Sequence, residues 1–373
     1  MSNITVKKVE SKKDLMTFIK FQWKIYENYP NWVPPLIMER KGLLDKKKNP
    51  FFLHAEMDTY LAYKDGELVG RIAAIKNDLH NEVHNDKVGF FGFFESIEDQ
   101  DVANKLLDTA KEWIKEKGLD TMRGPVNPSM NDETALLIEG FDDPPRIMMP
   151  YNPPYYKTLL ENYGLQKAKD LFAFKIENEK MSSNDKIVRV GKMVQERYKM
   201  KLRELNLKDF ANELNLFKDI YNKAWEPNWG FVPMTNEEID KMAAEFKQII
   251  DPTLVVFAEI DNKTIGFALV VPDYNYIFKE MNGKLFPFNF LKLFTKNKEI
   301  PWARIIVLGV LPEYQKKGLD AVLYHDILKR AAKRNIYKGE ASWVLEDNTM
   351  MVRGAEMMNG TLYKKYRIFE IAV

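Results

Sequence analysis

The chain has 373 residues, 45% of them apolar and 29% charged, with a formal net charge of +2 and no cysteine. That length fits two domains with packed cores, and the near-balance of charge argues against a protein whose main work is coating nucleic acid. The absence of Cys excludes disulfides, thiolate metal sites, iron–sulfur clusters and a cysteine nucleophile. The first residues carry no apolar leader, and no apolar run approaches the ~20 residues of a membrane span, so the expectation is a soluble, cytoplasmic protein.

In chain order, residues 60–74 read as a hairpin turning at Asp65-Gly66, a pair that tolerates the positive φ of a tight turn. His80 and His84 stand at i, i+4, a spacing open to one metal, but no third ligand matches and no metal is expected. Residues 101–118 read as an amphipathic helix with Val102, Leu106, Leu107, Ala110, Trp113 and Ile114 on one face. The polar stretch 123–133 either lines a pocket or simply connects, and the connection is favoured. A helix over 155–164 and a strand over 171–176 follow. Residues 177–186 are polar and lack apolar periodicity, which places the join between a first lobe, 1–180, and a second, 185–373.

The second lobe repeats this grammar. Residues 255–271 read as a hairpin in which Ile265-Gly266 matches Val69-Gly70. A buried strand over 305–311 leads through Pro312 and Gln315-Lys316-Lys317-Gly318 into a helix over 318–335. A helix, a Gly and a strand close each half. Three elements recurring in one order point to tandem duplication. The expected fold class is α/β (α+β): two lobes, each a mixed central sheet covered by helices.

The turn before the second helix has chemical content. Gly318 lets the backbone approach a ligand, and first-turn N–H groups lack intrahelical partners at the positive end of the helix dipole. Such a place suits a pyrophosphate; the alternative is an ordinary strand–loop–helix with a solvated basic turn. This strand, Val310-Leu-Pro-Glu-Tyr-Gln-Lys-Lys-Gly-Leu319 and helix resemble the acyl-CoA-binding motif of the GNAT acyltransferase superfamily, Gln/Arg-x-x-Gly-x-Gly/Ala. Ser342 to Asn348 resembles that family's fifth strand and the Asn opening its next helix. Met351, Glu356 and Gly360 follow at about the family spacing. The resemblance covers 188–373. In the first lobe the corresponding stretch, 95–101, is acidic and has no Gly, so that lobe reads as a degenerate copy.

The resemblance implies acetyl-CoA or a longer acyl-CoA as co-substrate, with its pantetheine in a gap between splayed strands. The Val310 backbone would polarise the thioester, and the amides of Gln315, Lys316, Lys317, Gly318, Leu319 and Asp320 would hold the pyrophosphate. Two positions depart from the pattern. Asp320 stands where the family has Gly or Ala. Ala355 stands where many members have the Tyr that protonates the thiolate, leaving Tyr324 and Tyr363 as substitutes off the family position.

Amine acylation needs a base. Glu340, Ser342 and Glu346 alternate along a strand and share one side. If that side faces a cleft, Glu346 or Glu340 is the base and Asn348 orients substrate; if it faces solvent, they are surface acids. Trp225, Trp229 and Phe231 are expected to wall a hydrophobic acceptor site. The segment 274–299 interleaves aromatics with Lys, as a peripheral membrane contact does; a lid over an acyl chain and packing between lobes are the alternatives. This organisation is similar to that of the bacterial ceramide synthases. The sequence therefore points to an N-acyltransferase acting on a small-molecule or lipid-like primary amine, and not on nucleic acid. A non-catalytic GNAT fold binding CoA, lipid or a protein partner is the second reading.

Overall fold

Both hairpins close as their turn residues require. Asp65 and Gly66 take φ of 51° and 87°, and Asp261 and Asn262 take 51° and 62°, the left-handed pairs that match strand twist. The computed structural model describes residues 3–177, 185–226, 228–247 and 249–373. The join expected at 177–186 falls mostly outside them. Contacts group the chain into two units: Met1–Leu171 with Phe278–Asn289 and Lys364–Val373, and Phe172–Ile277 with Phe290–Tyr363. Two later segments thus return to the first unit, which a linear division at 180–185 does not anticipate.

The first part of the chain runs β1 (Ile4–Lys8), α1 (Lys12–Ile25), α2 (Ile37–Leu43), β2 (Ala55–Lys64), β3 (Glu67–Asn77), α3 (Asp78–His84), β4 (Val88–Ser96), α4 (Gln100–Glu116), β5 (Thr121–Gly124), β6 (Val126–Asn127), β7 (Glu133–Thr134), β8 (Leu136–Glu139), α5 (Tyr155–Asn162) and β9 (Gln166–Glu177). The remainder runs α6 (Asp185–Arg197), β10 (Lys201–Glu204), α7 (Phe210–Trp225), α8 (Asn236–Phe246), β11 (Val255–Ile260), β12 (Lys263–Pro272), α9 (Asn275–Met281), α10 (Lys292–Thr295), β13 (Trp302–Val310), α11 (Leu319–Lys333), β14 (Lys338–Leu345), α12 (Thr349–Met357) and β15 (Thr361–Ala372).

The duplication is visible in the ladders. In the first unit β1, β2, β3 and β4 pair antiparallel in order, and β4 then pairs parallel with β5 across α4. In the second, β10, β11, β12 and β13 pair antiparallel, and β13 pairs parallel with β14 across α11. Each unit's own apolar residues fill its core. The apolar stripe of α4 (Val102, Leu106, Leu107, Ala110, Ile114) packs with Ile72, Phe91 and Met122. The stripe of α11 (Leu319, Val322, Leu323, Ile327) packs with Val256, Ala268, Leu308 and Ala341.

The polar stretch 123–133 has local structure of its own. It carries the small β6–β7 sheet, and Asn127 Oδ1 accepts from Phe93 N at 2.6 Å. Among the described residues, no helix is long and apolar enough to cross a membrane. No group of three or more His, Cys, Asp or Glu there could hold a metal ion.

Candidate active site

The site in the second unit starts from a ladder that stops early. β13 and β14 pair from Trp302↔Lys338 to Ile305↔Ala341, yet β13 continues to Val310 and β14 to Leu345. Where they separate, β13 also shifts register against β12, between Leu269↔Val307 and Val270↔Ile305. An extra residue in one strand bends it locally. Leu311 N donates to Ile265 O at 2.8 Å, so by the alternation of antiparallel bonding Val310 turns its own N–H and C=O away from β12. They face the side that β14 has left, and Gln315 Nε2 reaches Val310 O there at 3.0 Å.

The loop that follows is shaped for backbone donors. Lys316 and Gly318 have φ of 59° and 76°, and Gly318 caps α11 with no side-chain hydrogen bond. A Cβ at Gly318 would approach only Val194 Cγ2, at 3.5 Å, so that surface of the turn is open. Gln315, Lys316 and Lys317 are exposed and Leu319 is buried in the core. Lys317 Nζ is anchored on Glu313 O at 2.7 Å. An unobstructed helix N-terminus with flanking lysines is a good setting for phosphate. One residue competes for it. Asp320 is pushed above the usual carboxylate range by burial, and the nearby backbone N–H groups of Asp320 and Ala321 draw it back.

The opposite face of this sheet carries the polar chemistry. Ala303 and Ala341 belong to the α11 side, so Arg304 and Glu340, in register across the ladder, point the other way. Glu340 is fully buried. Ser342 Oγ donates to its Oε1 at 2.6 Å, the Tyr363 hydroxyl donates to its Oε2, and Arg304 Nε stands 3.8 Å from Oε1. Arg304 also donates to Ser342 Oγ at 2.9 Å. Half-buried Tyr363 links this interior network to the surface.

Glu346 sits differently from its sequence expectation. β14 ends at Leu345, so Glu346 lies half-buried in the turn and strand alternation does not align it with Glu340. Asn348 opens α12 and its Oδ1 accepts from Met351 N at 3.1 Å. Ala355 is buried on α12, where Tyr324 of α11 comes close. The Tyr324 hydroxyl lies 3.7 Å from Met351 Sδ and would be 2.5 Å from a Cβ on Gly354. Burial raises the Tyr324 phenol well beyond the usual range.

On the same face as Glu340, α7 lays an i, i+4, i+8 aromatic row. Phe217 stacks on Tyr221 at 5.4 Å, and Tyr221 stacks on Trp225 at 5.2 Å. Phe231 meets Tyr221 at 5.7 Å, and Trp229 lies half-buried in the turn. Trp225 covers Gly309, where a Cβ would fall 2.3 Å from its ring. Trp225 and Phe231 therefore join one wall through Tyr221. Tyr221, Arg304 and Ser342 had no assigned role in the sequence reading. A charged residue inside an apolar strand was the available signal for Arg304.

The first unit shows what happened to the duplicate. Ile97 N donates to Val69 O at 3.0 Å, the counterpart of Leu311 N to Ile265 O, which makes Ser96 the counterpart of Val310. Its N–H is already taken by the Tyr156 hydroxyl at 3.0 Å, and that hydroxyl donates to buried Glu95 at 2.7 Å. The N-terminus of α4 is closed by Asp99, which accepts from Asp101 N and Val102 N. Side chains of the unit itself thus occupy both positions, whereas in the second unit Gly318 gives α11 no side-chain cap and the Asp320 carboxylate stands near its first N–H groups.

Residues 214–356 match the family model for the acetyltransferase (GNAT) family. The chain is 35% identical over 366 residues to Protein YghO of Escherichia coli strain K12, covering 96% of this chain and 93% of that one. It is 35% identical over 385 residues to the bacterial ceramide synthase of Caulobacter vibrioides, covering 100% and 98%. Among solved structures, a tandem GNAT protein from the clavulanic acid biosynthesis pathway superposes with a TM-score of 0.59 at 11% identity, covering 99% and 98%. A GCN5-related N-acetyltransferase from Sphaerobacter thermophilus does so with a TM-score of 0.54 at 12% identity, covering 99% and 95%.

Proposed function

We propose that this chain, which belongs to the GNAT acyltransferase superfamily, moves an acyl group from an acyl-CoA to a primary amine of a lipid-like acceptor. The observation that carries this reading is the Val310 N–H, turned into the gap between β13 and β14 one short loop before α11, whose N-cap Gly318 supplies no side-chain hydrogen bond. An acyl-CoA supplies an activated thioester carbonyl; the remaining tasks fall to groups of this chain. The Val310 N–H stabilises the carbonyl oxygen as it becomes negative. The amides of Gln315 to Asp320, with Lys316 and Lys317, hold the pyrophosphate.

Glu340 accepts the amine's proton through Tyr363, whose hydroxyl already donates to it. As the N–C bond forms and the C–S bond breaks, that proton is returned to the departing thiolate, so the products are an amide and a free thiol. Glu346 is the alternative acceptor and Asn348 orients substrate from its cap. Trp225, Trp229 and Phe231 wall the acceptor side. The relative named as a ceramide synthase supports a long-chain amino alcohol as acceptor and a long acyl chain as donor. The reaction belongs in the cytoplasm, where acyl-CoA is formed.

The test is thiol release from palmitoyl-CoA in the presence of a long-chain amino alcohol. The chain contains no Cys, so the protein itself adds no thiol to the signal, and thiol release that depends on the amine reports the transfer. Tyr363→Phe should lower kcat by roughly 10²-fold with little change in KM for acyl-CoA. Full activity in both Tyr363→Phe and Glu340→Gln would remove the proposed base. A second reading, a non-catalytic acyl-CoA-binding protein, is favoured by Asp320 in the first turn of α11 and by Ala355. Tight acyl-CoA binding with no thiol release on any amine would establish it.

A further inference from the structure

Large apolar side chains at a protein surface need a reason. Phe286, Phe288, Leu291 and Phe294 are 59%, 75%, 48% and 69% exposed, all within one short stretch of chain. The stretch is ordered by its own hydrogen bonds. Asn289 Nδ2 donates to Lys284 O at 2.7 Å, Thr295 Oγ1 to Leu291 O at 3.1 Å, and Lys296 N to Lys292 O at 2.9 Å. Lys284 O, Leu291 O and Lys292 O therefore have partners within the stretch, which lowers the cost of taking them out of water.

The charge pattern selects the partner. From Lys284 to Lys298 there are four lysines, Lys284, Lys292, Lys296 and Lys298, and no acidic residue. Protein interfaces deplete Lys, and a two-fold contact between copies would bring this cationic stretch against itself. Bulky apolar side chains beside lysines are what an anionic lipid surface accommodates, with rings at the acyl boundary and ammonium groups among the headgroup phosphates. We propose that residues 284–298 form a docking element for an anionic phospholipid bilayer. The inference goes beyond acyl transfer and does not depend on it.

Sedimentation of the full chain with vesicles tests it, using phosphatidylcholine alone and with about one third phosphatidylglycerol. The wild type should sediment with the anionic vesicles, and added salt should release it. Phe288→Ser/Phe294→Ser should lower the partition coefficient by roughly tenfold or more, since both rings lose their apolar transfer. Lys284→Glu/Lys298→Glu should abolish the preference for anionic vesicles. These side chains are exposed, so an unchanged urea midpoint and unchanged acyl-CoA calorimetry verify that the fold and the loop persist. The proposal is overturned if the wild type stays in the supernatant with both vesicle types, or if the Phe variant binds as the wild type does. A dimer dissolved by the Phe variant, without vesicle binding, also overturns it.

Discussion

Asp320→Ala separates the phosphate-loop reading from a self-capped helix. The wild-type carboxylate lies near the first N–H groups of α11, its own among them, where a pyrophosphate at this helix end would sit; Ala321 N is held by Gly318 O at 3.1 Å. A hydrogen bond from the Asp320 N–H to a charged phosphate contributes roughly 1.5–3 kcal/mol. A carboxylate and a phosphate within one helical turn, ~5 Å apart, repel by about 3 kcal/mol at an effective dielectric near 20. Water satisfies that donor in the unliganded protein and solvent screens the charges, so only part of these terms survives. Retaining about 1.5–3 kcal/mol makes CoA bind roughly ten- to a hundredfold tighter in Asp320→Ala. Losing an acid from the first turn costs about 0.5–1 kcal/mol of stability, partly offset because the carboxylate no longer has to be buried. Calorimetric titration with CoA measures the gain, and urea unfolding measures the loss. Asp320→Asn keeps the acceptor and removes the charge, so it divides the two terms. Unchanged or weaker CoA binding in Asp320→Ala would refute the reasoning, because the carboxylate would then not oppose a phosphate at the N-terminus of α11.

Gly318→Glu should abolish CoA binding while the protein still folds, because the left-handed backbone costs about 1–2 kcal/mol and the space beside it is open. Gly318→Asn tolerates that backbone and should retain binding, so equal calorimetric titrations for Glu and Asn would count against the loop. Burial, followed by His84 and Arg123, depresses His80 to about 3 from an ordinary 6.5. Between those values the unfolded chain binds a proton that the folded chain refuses, so stability is complete above pH 6.5 and falls as pH falls. The slope is about 1.4 kcal/mol per pH unit. His80→Phe, packed beside Phe90, should therefore lose about 2 kcal/mol less than the wild type between pH 7 and pH 5 in urea unfolding, and equal losses would refute the assignment.

The repeated grammar was legible because it is local. Asp65-Gly66 and Asp261-Asn262 announce turns by φ preference, the stripes of α4 and α11 announce amphipathic helices by period, and Gly318 announces a helix entry. The acidic stretch 95–101 already set the first copy apart from the second at the entry to its helix, where Asp99 caps α4. Glu340 could be placed on one side of its strand, but alternation was carried too far when it included Glu346, because nothing in the pattern shows where a strand ends.

The sequence by itself determined the order of elements, the two-fold repetition and the position of the strand–turn–helix entry at Gly318, since each depends on residues a few places apart. Only the tertiary structure decided the return of 278–289 and 364–373 to the first unit, the early end of the β13–β14 ladder and the Arg304–Ser342–Glu340–Tyr363 network. It also decided that Tyr156 fills the donor position at Ser96 while the counterpart at Val310 stays turned into the gap. Strand pairing and buried polar partners join residues far apart in the chain. Their energies depend on burial and register, which exist only once the sheet has formed.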